Sequence, residues 1–274
     1  MAAMSQHPLI HGAIAACVVL LGLTAQAAQA GDCDDQICSD RPDFTESSDV
    51  VGAGRFQLET GLQSEHDRAD STRTRLLTTP TLLRFGLAEA WELRVESDAW
   101  SHQRTADDSG VMRQHGWADA SIGAKWHWRD GDQSRGAPAI AWLADAALPT
   151  GSHGFGGRGF RPSLRAVFEW ELPADWSIGV MPGVVRDSDD RGSRYTAGLL
   201  SITLGKDLSD SVGTYVEVAG QQFAARRHGG TVLSLDTGAT WRLAKDFQLD
   251  FGIARGLNRD TPDWAWTTGL SARF

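Results

Sequence analysis

The side chains of this 274-residue chain that could do chemistry are mostly carboxylates and arginines, and they recur at every second position. Residues 91–99 read WELRVESDA, with Glu92, Arg94, Glu96 and Asp98 on one parity and Trp91, Leu93, Val95, Ser97 and Ala99 on the other. A helix would scatter these charges around its axis, whereas a β-strand gathers alternate residues on one face. The same rule sets Arg165, Glu169 and Glu171 opposite Leu164, Ala166, Phe168, Trp170 and Leu172. It sets Gln248 and Asp250 opposite Phe247, Leu249, Phe251 and Ile253. Collected along the chain, the polar rows hold eleven acids: Glu59, Glu92, Glu96, Asp98, Asp119, Asp145, Glu169, Glu171, Glu217, Asp236 and Asp250. Against them stand six bases: Arg84, Arg94, Lys125, Arg165, Arg242 and Arg273. An interior lined by these rows is acidic. Such a wall either favours cations, as carboxylate rings do, or pairs its charges across a narrow lumen and fills it.

Other chemistries find less support. His66, His102, His115, His153 and His228 fall in or beside inferred loops, and only His127 lies in a strand. Ser152 and His153 are adjacent in the Gly-rich stretch 150–160, but no nucleophile motif accompanies them. That stretch lacks G-x-x-x-x-G-K-[ST] and opens no helix, so it is not a phosphate loop and reads as a flexible external loop. No enzyme activity, cofactor or metal is expected. Cys33 and Cys38 are spaced to close a small disulfide loop in an oxidising compartment; as a zinc pair they lack further ligands. A net charge of −9 argues against a nucleic-acid partner.

The elements that carry the rows follow from the rest of the chain. Residues 10–30 are apolar and Ala-rich and end in Ala28-Gln29-Ala30, which makes residues 1–30 a secretory signal with a small-residue cleavage site. The stretch Ile14–Cys17 resembles a lipobox, but the apolar run continues past it. No later stretch has the ~18 consecutive apolar residues of a membrane-spanning helix. Residues 31–54 are polar and irregular and read as a periplasmic N-terminal segment. From 55 to 274 the chain alternates in segments, with strands expected near 55–65, 73–85, 91–100, 114–128, 139–149, 162–172, 176–186, 194–206, 211–222, 231–243, 247–255 and 264–274. Short turns at 86–90, 173–175, 207–210 and 244–246 alternate with longer loops such as 101–113 and 150–161. Bacterial barrels place short turns in the periplasm and long loops outside. The connection 129–138 is long for its place in that scheme.

Alternation alone suits a soluble sandwich as well as a membrane barrel. Three features select the barrel. Aromatics gather at strand ends: Phe56, Phe85, Trp91, Trp126, Trp128, Trp170, Trp176, Trp241, Phe247 and Phe274 at the periplasmic end, and Trp100, Trp117, Tyr195, Phe223, Trp264 and Trp266 at the other. Two girdles at interface depth follow from the amphipathic rings; Trp142, nearer mid-strand, does not fit. Glycines such as Gly123, Gly179, Gly183, Gly238, Gly252 and Gly269 sit on the polar face, where close backbone approach is needed. The last strand, residues 264–274, alternates and ends on Phe274. Lipid tolerates no unpaired sheet edge, so the sheet must close. The expected fold is all-β: a transmembrane antiparallel up-and-down β-barrel of about twelve strands over 55–274, in the outer membrane of a Gram-negative cell. Its expected partners are outer-membrane lipid and the barrel assembly machinery, which would read the strand ending on Phe274.

The pieces Asp40-Arg41-Pro42-Asp43-Phe44-Thr45-Glu46, Gly52 and Phe56–Gly61 (FQLETG) resemble the outer-membrane transporter-like family associated with the meta pathway of phenol degradation. Residues 116–125 (GWADASIGAK), 148–151 (LPTG) and 215–219 (YVEVA) are similar to it as well. The resemblance implies a barrel that passes small solutes, aromatic or apolar compounds among them. The alternatives are a structural or surface-interaction barrel that transports nothing, and a membrane hydrolase.

Overall fold

The computed structural model describes residues 36–189 and 191–274. The signal segment, Cys33 and the rest of residues 1–35 lie outside the described residues. The strands, in chain order, are β1 (Phe56–Ala69), β2 (Thr72–Thr78), β3 (Thr81–Ala88), β4 (Trp91–Ser97), β5 (Trp100–Asp107), β6 (Gly110–Trp117), β7 (Ala120–Arg129), β8 (Ala139–Ala147), β9 (Arg161–Leu172), β10 (Trp176–Ser188), β11 (Arg194–Ser209), β12 (Val212–Phe223), β13 (Thr231–Ala244), β14 (Phe247–Gly256) and β15 (Trp264–Arg273). Twelve of them, β1, β3, β4 and β7 to β15, form a closed antiparallel circuit, because β15 pairs back onto β1 from Gln57↔Arg273 to His66↔Trp264. The seam ends on two backbone hydrogen bonds between Phe56 and Phe274, of 3.1 and 2.8 Å, with their rings 6.3 Å apart.

The remaining three strands explain the difference between twelve and fifteen. β2 and β3 are one long strand broken at Thr79-Pro80, where proline has no N–H to give. β4 and β5 are broken at Asp98-Ala99, Ala99 having φ 46°, and β6 and β7 at Ala118-Asp119. Thr79 N donates to Asp98 O (3.1 Å) and Ala118 N to Ala99 O (2.8 Å), so the three breaks lie side by side. Above them β2 pairs with the upper part of β1, β5 with β2 and β6 with β5, as an extension of the wall. The sequence predicts a loop at 101–113. It is the β5–β6 hairpin, whose outward row (His102, Arg104, His115, Arg113) is polar rather than apolar, so the hydrophobic alternation used to find strands is missing there.

The apolar face points outward. Leu62, Leu93, Val95, Ile122, Val184, Ile202, Leu204, Val216, Val218, Leu235, Phe251 and Ile253 are all exposed on the outer wall. The girdles flank this band: Trp91 stacks on Trp126 at 5.3 Å near the short-turn end, and Trp100 meets Trp117 edge-on at 5.5 Å near the other. Trp142 joins the first girdle after all. The unbroken register from Ser121↔Ala147 to His127↔Ala141 sets it directly opposite Trp126, and only below that pair does a bulge between His127 and Arg129 shift the register. The long connection after β7 is a compact knob: a 3-10 turn at Gln133–Arg135 capped by Asp132, closed by left-handed Gly136, whose carbonyl accepts from Trp170 Nε1 (3.2 Å).

Candidate functional site

Most of the buried side chains of this barrel are polar and lie inside it. Gln57, Glu59, Arg84, Glu92, Lys125 and Ser271 have no exposed surface. They are covered by residues 36–51. The sequence predicts a periplasmic segment here, whereas the contacts of these residues run around the inner wall from β1 to β15. Short polar side chains and backbone amides of an irregular segment need partners once out of water, and the inward charged rows supply them.

Asp40 sits at the centre. Its carboxylate accepts from Arg94 (2.6 Å) and from Lys125 (2.9 and 3.0 Å), and lies 3.3 Å from Arg84. Arg84 is also held by Glu59 (3.0 Å) and Glu92 (2.9 Å), and its remaining donors reach the carbonyls of Cys38 and Asp49. Glu46 bridges Arg94 (2.6 Å) and Arg165, and Arg165 continues to Asp145 (2.7 Å). On the opposite wall Arg41 forms a two-pronged pair with Asp250 (both 3.1 Å) and donates to Thr267 (2.9 Å). Such fork-to-carboxylate geometry fixes orientation as well as charge. Glu217 accepts from the amides of Phe44 and Thr45 (both 2.8 Å), from Thr45 Oγ1 (2.5 Å) and from Thr203 Oγ1 (2.7 Å). Glu169 takes the amide of Ser48 (2.5 Å), Glu92 that of Val51 (3.0 Å), and His127 meets the carbonyl of Ser48 (2.9 Å). One apolar contact joins the polar ones: Phe44 packs on Leu143, Val167 and Met181, an inward patch buried in the charged wall.

The chain then leaves the lumen through Gly52 (φ 82°) and Gly54 (φ 73°) into β1. Gly86 is required where it passes, since a Cβ there would collide with the carbonyl of Gly52.

The structure therefore gathers Glu59, Arg84, Glu92, Arg94, Lys125, Asp145 and Arg165 into one network, and puts Glu169, Glu217 and Asp250 on the segment's other contacts. Glu96, near the upper end of β4, and Asp98, in the break just beyond it, are exposed. Arg273 binds Asp246 (2.7 Å) and the carbonyl of Gln36 at the short-turn end, where Glu171 is exposed. Arg242 turns to the carbonyl of Asp210. Asp119 belongs to the outside: it accepts from Gly151 N (2.6 Å), Gly157 N (2.7 Å) and Arg161 (2.8 Å), folding the Gly-rich loop inward against β6. Partial burial raises the Asp119 carboxyl, but the Arg161, Gly151 and Gly157 hydrogen bonds outweigh it and hold the group below the usual carboxylate range. Ser152, beside His153, spends its hydroxyl on Trp117 N (3.0 Å). Cys38 is disulfide-bonded. The alternating rows do not include Asp40, Arg41, Thr45 and Glu46; their only local signal is a dense polar stretch, DRPDFTE, in an otherwise loop-like segment.

Above the segment the lumen stays open. A cavity of about 180 Å³ is lined by Asp43, Phe44, Glu65, Tyr215 and Asp236 among others. The Tyr215 ring lies flat on the wall because Gly238 and Gly252 leave room: a Cβ on either would come within 2.7 or 3.0 Å of it. One oxygen of Asp236 takes Ser234 Oγ (3.0 Å) and the other has no hydrogen-bond partner.

A closed twelve-stranded barrel with its apolar face outward, two aromatic girdles and an internal polar segment is the architecture of an outer-membrane barrel. The chain belongs to the family described as "Putative MetA-pathway of phenol degradation", whose model matches residues 39–274. Comparison with curated proteins finds no match. Among solved structures the fold is similar to an outer membrane channel from Pseudomonas putida F1 (TM-score 0.58, 13% identity, 85% of this chain and 99% of that one). It is also similar to the beta domain of the Bordetella autotransporter BrkA (0.50, 15%, 80% and 99%). The transport unit of the autotransporter AIDA-I from Escherichia coli is a third (0.50, 13%, 84% and 93%).

Proposed function

We propose that the protein is a gated conduit for small solutes across the outer membrane, with residues 36–51 as the gate. The observation that carries this reading is the division of the lumen by the charge-paired segment: an open cavity lies above it, and a separate recess of about 780 Å³ lies at the short-turn end. A purely structural barrel has no need of such a cavity. Phe44 and Tyr215 offer ring faces, while Asp43, Glu65 and Asp236 offer acceptors. That combination suits a small, largely apolar solute with a hydroxyl or a positive charge, and repels anions. The family's description and the channel of similar fold support the same reading.

The test is conductance in planar bilayers, comparing the full chain with one lacking residues 36–51. The full chain is expected to show low, flickering conductance, and the deletion a large, steady one that prefers cations. Equal conductance in the two, or a reversal potential favouring chloride in the deletion, would sink the proposal. No conductance and no liposome swelling with either protein would favour the structural barrel instead.

A further inference from the structure

The outward face of the extension carries a charge pattern that transport does not use. Arg255, Trp264, His66, Arg75, Arg104 and Arg113 stand directly opposite one another in a single cross-strand row spanning β14, β15, β1, β2, β5 and β6. Arg68 faces Arg73 one step higher on that face, and His102 faces His115 one step lower. Neighbouring strands lie only ~4.8 Å apart, and like charges set directly opposite destabilise a sheet. Yet among the described residues Arg68, Arg73, Arg75, Arg104 and Arg113 form no ion pair. Arg75 has only Ser64 Oγ, at 3.1 Å. The side chains of His66, Arg68, Arg73, Arg75 and Arg104 border a groove of about 350 Å³, with Asp67 and Asp263 also on its lining. A sheet that accumulates arginines in register with no carboxylate paired to them is built for an anion from outside.

We propose that this face binds the phosphate groups of the anionic glycolipid in the outer leaflet. Arginine forks match phosphate oxygens two by two. The face is continuous with the lipid-facing rows below it, so it looks toward the membrane and away from the lumen. Its depth also fits. Trp100 and Trp117 lie two positions below the histidine pair and mark the interface. At about 7 Å per two residues the Arg104–Arg113 pair stands about 14 Å farther along strands that tilt by roughly 40°. That is the layer of headgroup phosphates, within reach of a long side chain. A soluble polyanion would have to approach a chain of net charge −9, whereas a lipid already surrounds it.

The test uses the full-length protein folded in detergent, titrated with bisphosphorylated lipid A and with its dephosphorylated form, and read by native mass spectrometry. The Trp264 ring, stacked on His66 at 3.9 Å beside the groove, gives a second, fluorescent readout. The wild type is expected to bind the phosphorylated form about tenfold tighter or more, a preference that rising salt erodes. The variant Arg75→Gln/Arg104→Gln/Arg113→Gln is expected to lose the preference. Equal binding of both lipid forms, or a preference that survives in the triple variant, overturns the proposal. So does tighter binding of a soluble polyanion such as heparin than of the glycolipid. Should the triple variant fail to give the heat-modifiable gel mobility of a folded barrel, the wild-type comparison of the two lipid forms decides alone.

Discussion

The gate is most sharply tested at Asp40. Replacing it with asparagine keeps the volume and the acceptor for Ser47 N (3.0 Å) but removes the charge that faces three cations at once. Arg84 would keep Glu59 and Glu92, and Arg94 would keep Glu46 and Glu92. Lys125 would keep only Glu46, at 3.7 Å, and backbone carbonyls. All of these side chains are at most 8% exposed, so the pairs are not screened by water. Breaking a buried pair costs roughly 3–5 kcal/mol, and the partners that remain place this case near the lower figure. The cost falls on the seated segment, because when the segment leaves, the wall cations regain water. With about 1.4 kcal/mol per tenfold change, about 3 kcal/mol shifts the ratio of displaced to seated segment by roughly 150-fold toward displacement. Single-channel recording of Asp40→Asn against wild type reads this as open time, and protease cleavage within residues 36–51 in intact vesicles reads it independently. If neither open time nor cleavage rises by more than about threefold, the network does not hold the gate, and the reasoning from buried pairing fails here.

Two further outcomes test the wall and the outer loop. Gly252→Val should lower the urea midpoint of the refolded barrel by the equivalent of about 1–3 kcal/mol through overpacking against Tyr215, and Tyr215→Phe, which removes the hydroxyl 3.0 Å from the added carbon, should restore part of it; a double variant no better than the single would refute the contact. The depressed Asp119 carboxyl stabilises the loop at pH above its unfolded value near ~4, and that contribution is lost as pH falls through the lower folded value. Cleavage in the stretch 150–160 should therefore stay low from about pH 8 to 5 and rise only in stronger acid, while Asp119→Asn should be cleaved readily throughout that range; identical pH profiles for the two proteins would exclude the role given to this carboxylate.

The barrel was legible because lipid imposes a simple code on its wall: wherever a strand crosses apolar surroundings, outward residues such as Leu93, Val95 and Phe251 must be apolar, and the alternation stands out. The code stops at the aromatic girdle, which is why the sequence suggests a loop at 101–113, across most of β5 and the start of β6: His102, Arg104 and Arg113 face headgroups and water, not hydrocarbon. The inward residues were identified as a set, but their pairing was not, because Arg84 and Glu217 are satisfied by a segment up to 173 residues away in sequence. An irregular segment has no period to betray where it docks. Only the mismatch between eleven acids and six bases, and the density of the DRPDFTE stretch, hinted that more partners were needed.

The seating of Arg41 has a consequence for the order in which the molecule comes into being. Its partners, Asp250 and Thr267, lie on β14 and β15, the last strands of the chain, one of which also forms the closing seam with β1. The segment is the first of these pieces to emerge during synthesis, and its berth is complete only when the final strands arrive. Stoppering and sealing thus draw on the same final strands. A newly made copy need not pass through an open, leaking ring before it is shut, so biogenesis need not expose the cell to an unguarded hole.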